Sequence, residues 1–326
     1  MQENIEISKI INKHISTSNY NGEILVNETD INFDERSDTI NWSFNLNGGC
    51  FKYCVKSNDK LAEFLTNTIV KNRKLDSNTF YHYIPLEFGL NIFERNELQF
   101  SSLSSLTKND SAEYSEFLKL YSHNPAFNGS HISAAKNKIF IFCLTNKFDN
   151  QKFWNEYFKD TPGLCIGFKF EKADERLLGF YEFLDVLYDD TNNFDFINYI
   201  QEELHQKYCK RLFIGGINRI ARHYKRTKYA WERETRLIFD FLENNKLHQT
   251  SFFNGIMGTN LETYLQPEFD KENNRHYMRI KFNNPFFKIK ICEIICGKKV
   301  DDKHIDEIKS LVPNDVKVWR LTDVEK

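Results

Sequence analysis

"FYHYIPLEFGLNIFERNELQF", residues 80–100, decides how this chain is read. Its aromatic opening reads as a strand over 79–84. Pro85 then takes a favoured first position of a helix that runs to about Arg95, and a second strand follows at 97–101. A histidine between two tyrosines on that first strand has two readings. One is a core strand that tolerates His82. The other is a pocket wall where imidazole and phenol face a ligand, and the rest of the chain has to choose between them.

Working outward, short strands alternate irregularly with helices. "KIFIFCLT", "GLCIGFKFE", "FYEFLDVLY" and "ETRLIFDFL" read as strands, and the end reads as strand "FKIKICEIICG", helix "DDKHIDEIKSLV" and strand "VKVWRL". Long helical patterns cover 194–212 and 216–227. Irregular interleaving of this kind predicts an α+β fold rather than a regular parallel array. Residues 1–75 read as a small α+β unit of their own: a helix spaced by Ile5, Ile7, Ile10, Ile11 and Ile15, then strands folded over Asn47-Gly48-Gly49, a strong hairpin signal. The polar stretch "KNRKLDSN" marks the expected boundary, leaving 76–326 as the main domain.

Bulk composition narrows the class. The 326 residues are 40% hydrophobic and 28% charged, ordinary for a globular protein and too apolar for a disordered one. Thirty Phe and 15 Tyr are many, and aromatics serve both cores and flat binding surfaces. No apolar run approaches the roughly 20 residues that span a bilayer. The amphipathic start "MQENIEISKIINKH" lacks the apolar heart of a signal peptide, so a cytoplasmic protein with no membrane partner is expected. Seven scattered cysteines fit that expectation. The C-x3-C pairs Cys50/Cys54 and Cys292/Cys296 are read as buried small hydrophobes rather than zinc ligands, and no metal site is expected.

Net charge is −2, so attraction to nucleic acid needs a local patch. One exists. Residues 171–206 hold ten acidic and two basic residues, whereas 207–228 hold eight Lys or Arg and no acid. If 217–227 is helical, Arg219, Arg222, His223 and Arg226 share one face, either a solvated surface or a phosphate-binding one. Elsewhere, "WNEYFKDTPGLCIGF" places Trp154 and Tyr157 three apart before a Gly-led strand. In "KYAWERETRLIF", Glu232 and Glu234 alternate at a strand entry with Arg236 next, a spacing suited to acid–base work or to holding a sugar hydroxyl as well as to a plain surface strand. Signatures for Rossmann dinucleotide binding, P-loops, zinc proteases and serine hydrolases are absent.

In this order the clusters resemble the bacterial domain of unknown function 2971 family. "FYHYIPLEFGLNIFERNELQF" follows the family's L-Y-H-Y-T-S-L frame, with Ile84-Pro85 in place of Thr-Ser. "LTKNDSAEYSEF" carries its N-D-x-x-E segment at Asn109, Asp110 and Glu113. "IFIFCLTNKFDN" ends a strand on Thr145, where Ser is commoner. "WNEYFKDTPGLCIGF", "TKYAWERETRLI" and "CEIICGKK" supply the remaining signatures, and residues 1–75 lie outside them.

The family's layout is in turn similar to that of ADP-ribosyltransferases: a histidine on the first strand, Ser, Thr or Tyr on a middle strand, and glutamate on a late strand. The resemblance implies a split β core of small mixed sheets with helices, plus the N-terminal extension, and NAD as substrate. It implies that His82 holds the nicotinamide ribose with Thr145 nearby, and that Tyr83, Trp154 or Tyr157 stacks on nicotinamide. Glu234 becomes the catalytic glutamate, Glu232 the residue facing the acceptor, and Arg236 part of the NAD site. The acceptor is then RNA or DNA, reached through 207–228, or a protein; residues 1–75 are a partner-binding module or a structural extension. Enzymes of this type often act as toxins or in antiphage defence. Two other readings compete: a non-catalytic nucleotide or nucleic-acid binding module, and a metal-dependent nuclease using acidic residues of 182–203.

Overall fold

The computed structural model describes residues 2–18, 26–28, 31–33, 53–57, 79–106, 114–115, 117–118, 136–148, 150–172, 181–188, 194–213, 220–241, 265 and 267–321. In chain order these form α1 (Gln2–Ser16), β1 (Ile31–Phe33), β2 (Tyr53–Ser57), β3 (Phe80–Pro85), α2 (Leu86–Arg95), β4 (Glu97–Ser102) and β5 (Ile139–Thr145). Then come α3 (Gln151–Tyr157), β6 (Gly163–Lys172), β7 (Glu182–Asp185), β8 (Leu187–Tyr188), α4 (Asp195–Tyr208), β9 (Lys210–Phe213) and β10 (Tyr224–Lys225). A 3-10 turn (Thr227–Glu232) leads into β11 (Glu234–Asp240), followed by β12 (Pro267–Asp270), β13 (Arg275–Lys281), β14 (Phe287–Cys296), α5 (Asp302–Leu311) and β15 (Lys317–Arg320). The fold is α+β, as expected.

The chain groups into two compact units, and they are not the two sequence halves. Unit 1 takes 1–71, 111–132 and 187–227; unit 2 takes 72–110, 133–186 and 228–326. The expected single boundary near residue 75 is therefore replaced by a unit that returns for two later segments. The physical reason is visible in unit 1. Ile7, Ile10, Ile11 and Ile15 of α1 need an apolar partner, and Ile197, Ile200 and Leu204 of α4 supply one; all seven are buried. Full burial of each such side chain contributes about 2 kcal/mol, which a short N-terminal segment cannot reach alone. β2 likewise pairs with β9 in parallel, and with β1 antiparallel. The hairpin expected at 47–49 lies outside the described residues.

Unit 1 also corrects two helix readings. The pattern over 194–212 ends at Tyr208, because Cys209 adopts a left-handed φ of 50°, and β9 follows. The pattern over 216–227 is not one helix: among its described residues a short turn at 220–223 leads to β10, which pairs in parallel with β8.

Unit 2 is built on one ten-stranded sheet, not on separate small sheets. Its path is β12-β13-β4-β5-β3-β6-β14-β15, with β11 pairing β5 and β7 pairing β11. Every pairing is antiparallel except β14 with β15. Strand alternation fills one face with a large core. Phe80, Phe100, Phe140, Phe142, Phe168, Phe170 and Phe239 all lie there, with edge-to-face contacts such as Phe80–Phe183 at 4.8 Å. Much of the phenylalanine surplus is thus explained by packing.

The sheet forks at β5. β11 pairs with β5 along its whole length, from Asp240↔Ile139 to Glu234↔Thr145. On the opposite side β5 meets two strands in turn: β4 at Ile141 and Phe140, and β3 through the single pair Tyr81↔Thr145. Beyond Tyr81, β3 leaves β5 and runs with β6.

Candidate functional site

The three strands expected to carry the site are neighbours. Register aligns Glu234 of β11, Thr145 of β5 and Tyr81 of β3 in one row, continued by Gly167 of β6 and Glu293 of β14. Residues paired across a sheet share a face. The Tyr81 phenol donates to Glu293 Oε1 at 2.7 Å, its ring crossing Gly167. Any Cβ at Gly167 would lie 3.1 Å from Tyr81 Cε1, which is why this row has glycine between Tyr81 and Glu293. Burial, and then the Glu293 carboxylate, push the Tyr81 pKa far above the ordinary phenol range, so it remains a donor.

His82 points to the other face, as alternation from Tyr81 and Tyr83 requires. It sits at the fork, its ring 4.4 Å from that of Phe142. Nδ1 lies 2.7 Å from the Cys143 carbonyl. A carbonyl only accepts, so Nδ1 carries the proton and Nε2 carries the lone pair. Burial pushes the imidazole pKa down to about 4, outweighing the opposite pull of the Cys143 carbonyl. His82 is therefore neutral at pH 7, and its imidazole bonds the β5 main chain where β3 departs. The expected face-to-face meeting of His82 with Glu234 is not what the register produces.

Glu234 is buried and held by Arg236 of the same strand, Nε to Oε1 at 2.8 Å and Nη2 to Oε2 at 3.2 Å. Two residues apart on a strand, they share a face, and a fork of two parallel bonds fixes the carboxylate plane. Arg236 thus pairs with the carboxylate expected to do the chemistry. Glu232 is also buried, but it does not precede Glu234 on the strand. It ends the 3-10 turn, and Arg233 between them adopts a left-handed φ of 46°. That conformation costs a non-glycine residue about 1 kcal/mol, and it reorients the chain between the two carboxylates. Glu232 accepts the Tyr157 phenol at 3.0 Å.

Thr145 is buried, and its Oγ1 accepts the Lys147 N–H at 3.3 Å, closing the turn after β5. Trp154, expected at the ligand wall, is core instead: a Cβ at Gly297 would lie 2.8 Å from its Cζ3. Gly163 of the same signature is equally a packing residue, since a Cβ there would lie 2.2 Å from Phe158. The amide opening α2 is not open to a phosphate, because Leu86 N donates to the Pro162 carbonyl at 3.1 Å.

The aromatic wall that does form has other members. Tyr83 stacks on Phe153, centroids 4.3 Å apart and 10° from parallel, and its hydroxyl donates to the Phe148 carbonyl at 2.6 Å. Phe153 meets Trp231 edge-on at 4.9 Å, and Tyr157 lies 6.2 Å from Trp231. Asn150 Nδ2 donates to the Trp231 carbonyl at 2.8 Å, tying the loop before α3 to the 3-10 turn. Phe153 and Trp231 were not singled out from the sequence, although Trp231 stands inside a quoted signature and Phe153 directly precedes another.

In unit 1, Arg222 and His223 are buried, at 3% and 0% exposure, and Arg226 is half-buried. The expected solvent-facing stripe is thus absent at its described positions; Arg219 lies outside the described residues. Among those residues no group of three or more His, Cys, Asp or Glu is placed to hold a metal ion, and no helix is long and apolar enough to cross a membrane. Compared with models of known protein families, with curated proteins and with solved structures, the chain matches none.

Proposed function

We propose that unit 2 consumes NAD in the manner of an ADP-ribosyltransferase, cleaving the nicotinamide–ribose bond and passing ADP-ribose to a nucleic-acid or protein acceptor. The observation that carries this reading is the adjacency of β3, β5 and β11 where the sheet forks, which sets Tyr81, Thr145 and Glu234 in one row, with His82 on the reverse face. The order of the three strands supports the reading, although the implied meeting of His82 with Glu234 on one face is not part of it. The aromatic wall of Tyr83, Phe153, Tyr157 and Trp231 reaches Glu232 through the Tyr157 phenol.

The chemistry fits these groups. As the C1′–N bond breaks, nicotinamide leaves with the bonding pair and the sugar gains oxocarbenium character. A carboxylate fixed nearby stabilises that charge, and Arg236 holds Glu234 in one orientation for it. On the reverse face, neutral His82 anchors β3 to the β5 main chain through the Cys143 carbonyl, fixing the fork that sets Thr145 beside Glu234. The acceptor nucleophile then bonds C1′ and gives up its proton.

Nicotinamide release from NAD, with and without RNA, DNA or cell lysate, tests the reading. Glu234→Gln should lower release on the order of a hundredfold or more while changing NAD binding much less. Because that change leaves the Arg236 guanidinium buried opposite a neutral amide, a thermal melt belongs beside it, and Glu234→Gln/Arg236→Met serves as a charge-balanced companion. Glu232→Gln should impair transfer to the acceptor more than NAD hydrolysis. Near-wild-type release by folded Glu234→Gln protein ends the assignment.

One observation favours a second reading, a non-catalytic nucleotide-binding module: the bidentate Arg236 pair already neutralises Glu234. A wild type that binds NAD but releases no nicotinamide in lysate decides for it.

A further inference from the structure

Within the charge run at 207–228 Arg222 is buried, whereas Lys228 at its end is exposed. In unit 2 the 3-10 turn repeats every three residues, so Lys228 and Trp231 share a face. Lys152 reaches Trp231 from α3, its Nζ 4.6 Å from the ring centroid, and Lys228 lies 4.7 Å over Tyr229. Arg233 follows, exposed, with its left-handed backbone turning it away from the strand that begins at Glu234. Tyr157, 48% exposed, stands beside Trp231. Glu232 is buried under Tyr157, so the exposed acid of these elements is Glu156, against the three exposed cations Lys152, Lys228 and Arg233.

We infer that this surface binds a single-stranded nucleic acid, with a base stacked on the Trp231–Tyr157 platform and neighbouring phosphates held by Lys152, Lys228 and Arg233. Two rings flanked by cations in "KYAWER", with Lys152 over Trp231, match a strand that alternates flat bases with phosphates. A duplex hides its base faces, and a protein partner calls for a contiguous apolar centre depleted of charge. The Lys152–Trp231 contact does not block the site. An exposed cation–π contact is worth only a few-fold in affinity, whereas a stacked base is worth roughly ten- to a hundredfold, and the displaced ammonium lies where a phosphate follows. Binding of this kind does not depend on NAD turnover and is read without NAD.

Fluorescence anisotropy of the full chain with short labelled single-stranded RNA, single-stranded DNA and a duplex of equal length tests it. Both single strands should bind, or one of them, which then names the source; three phosphate contacts give a log–log salt slope near roughly −2. Trp231→Ala should weaken binding about tenfold or more. Arg233→Gly, compatible with the left-handed backbone, keeps the fold, weakens binding to every sequence and lowers the slope by about one phosphate's share. Absence of binding at low salt, a duplex bound as tightly as single strands, retention of a protein from lysate in place of any oligonucleotide, or affinity unchanged in both variants overturns the inference.

Discussion

Two basic stretches close together in sequence, 220–226 in unit 1 and 228–236 in unit 2, treat their charges in opposite ways. In the first, Arg222 and His223 are buried. In the second, Arg236 is buried against Glu234 while Lys228 and Arg233 remain in water. Each holds three Lys or Arg, and the local backbone directs them differently. A short turn and a two-residue strand direct the first stretch inward, and the 3-10 turn with left-handed Arg233 directs the second outward. Burial also has more than one resolution here. Arg236 is compensated by pairing, whereas His82 gives up its proton.

The largest expected effect tests the pairing. Arg236→Met strands a buried carboxylate and should cost about 3–5 kcal/mol of stability, seen as a large fall in chemical-denaturation midpoint. Glu234→Leu/Arg236→Met should recover most of that loss. A single variant as stable as wild type would mean the pair holds nothing in place.

Arg222→Met should follow at about 2–3 kcal/mol, because a buried guanidinium is removed from its partners. The same change at exposed Arg233 should fall within about 0.5 kcal/mol. Equal effects at the two positions would erase the contrast between the stretches.

His82 makes the third test. Its folded pKa of about 4 lies below the unfolded value near 6.5. Between those values the unfolded chain binds a proton that the folded one refuses, so stability rises with pH across that window and is lost as pH falls from 6.5 towards 4. On the order of 2 kcal/mol is involved, discounted for partial exposure of the residue. His82→Gln should flatten the stability-versus-pH curve in that range. A slope unchanged by the substitution would show that His82 titrates normally.

The smallest effect belongs to Arg233→Gly, which should leave stability unchanged or raise it by about 0.5 kcal/mol. Relief of the left-handed conformation slightly exceeds the entropy that glycine adds to the unfolded state. A clear loss would mean the Arg233 side chain, not only its backbone, supports the turn.

The sequence by itself determined the elements with strong periodic patterns. The strands around Phe80, Phe142, Phe168 and Leu237 were legible because each carries a run of apolar or alternating side chains long enough to identify its conformation, and α5 because of its spacing. It also marked His82, Glu232, Glu234, Tyr157 and Arg236 as worth placing. Tertiary structure decided which of them meet. Register alone sets Glu234, Thr145 and Tyr81 in a row and turns His82 to the opposite face, and register depends on pairing between strands far apart in the chain. The step from Glu232 to Glu234 looked like strand alternation, since no Gly or Asn announces the left-handed Arg233. Trp154 and Trp231 are both tryptophans in aromatic company, and a single chain gives no sign that Gly297 has room for one and leaves the other at the wall. Local pattern reports what a segment prefers; only contacts between distant segments decide which side chains water reaches.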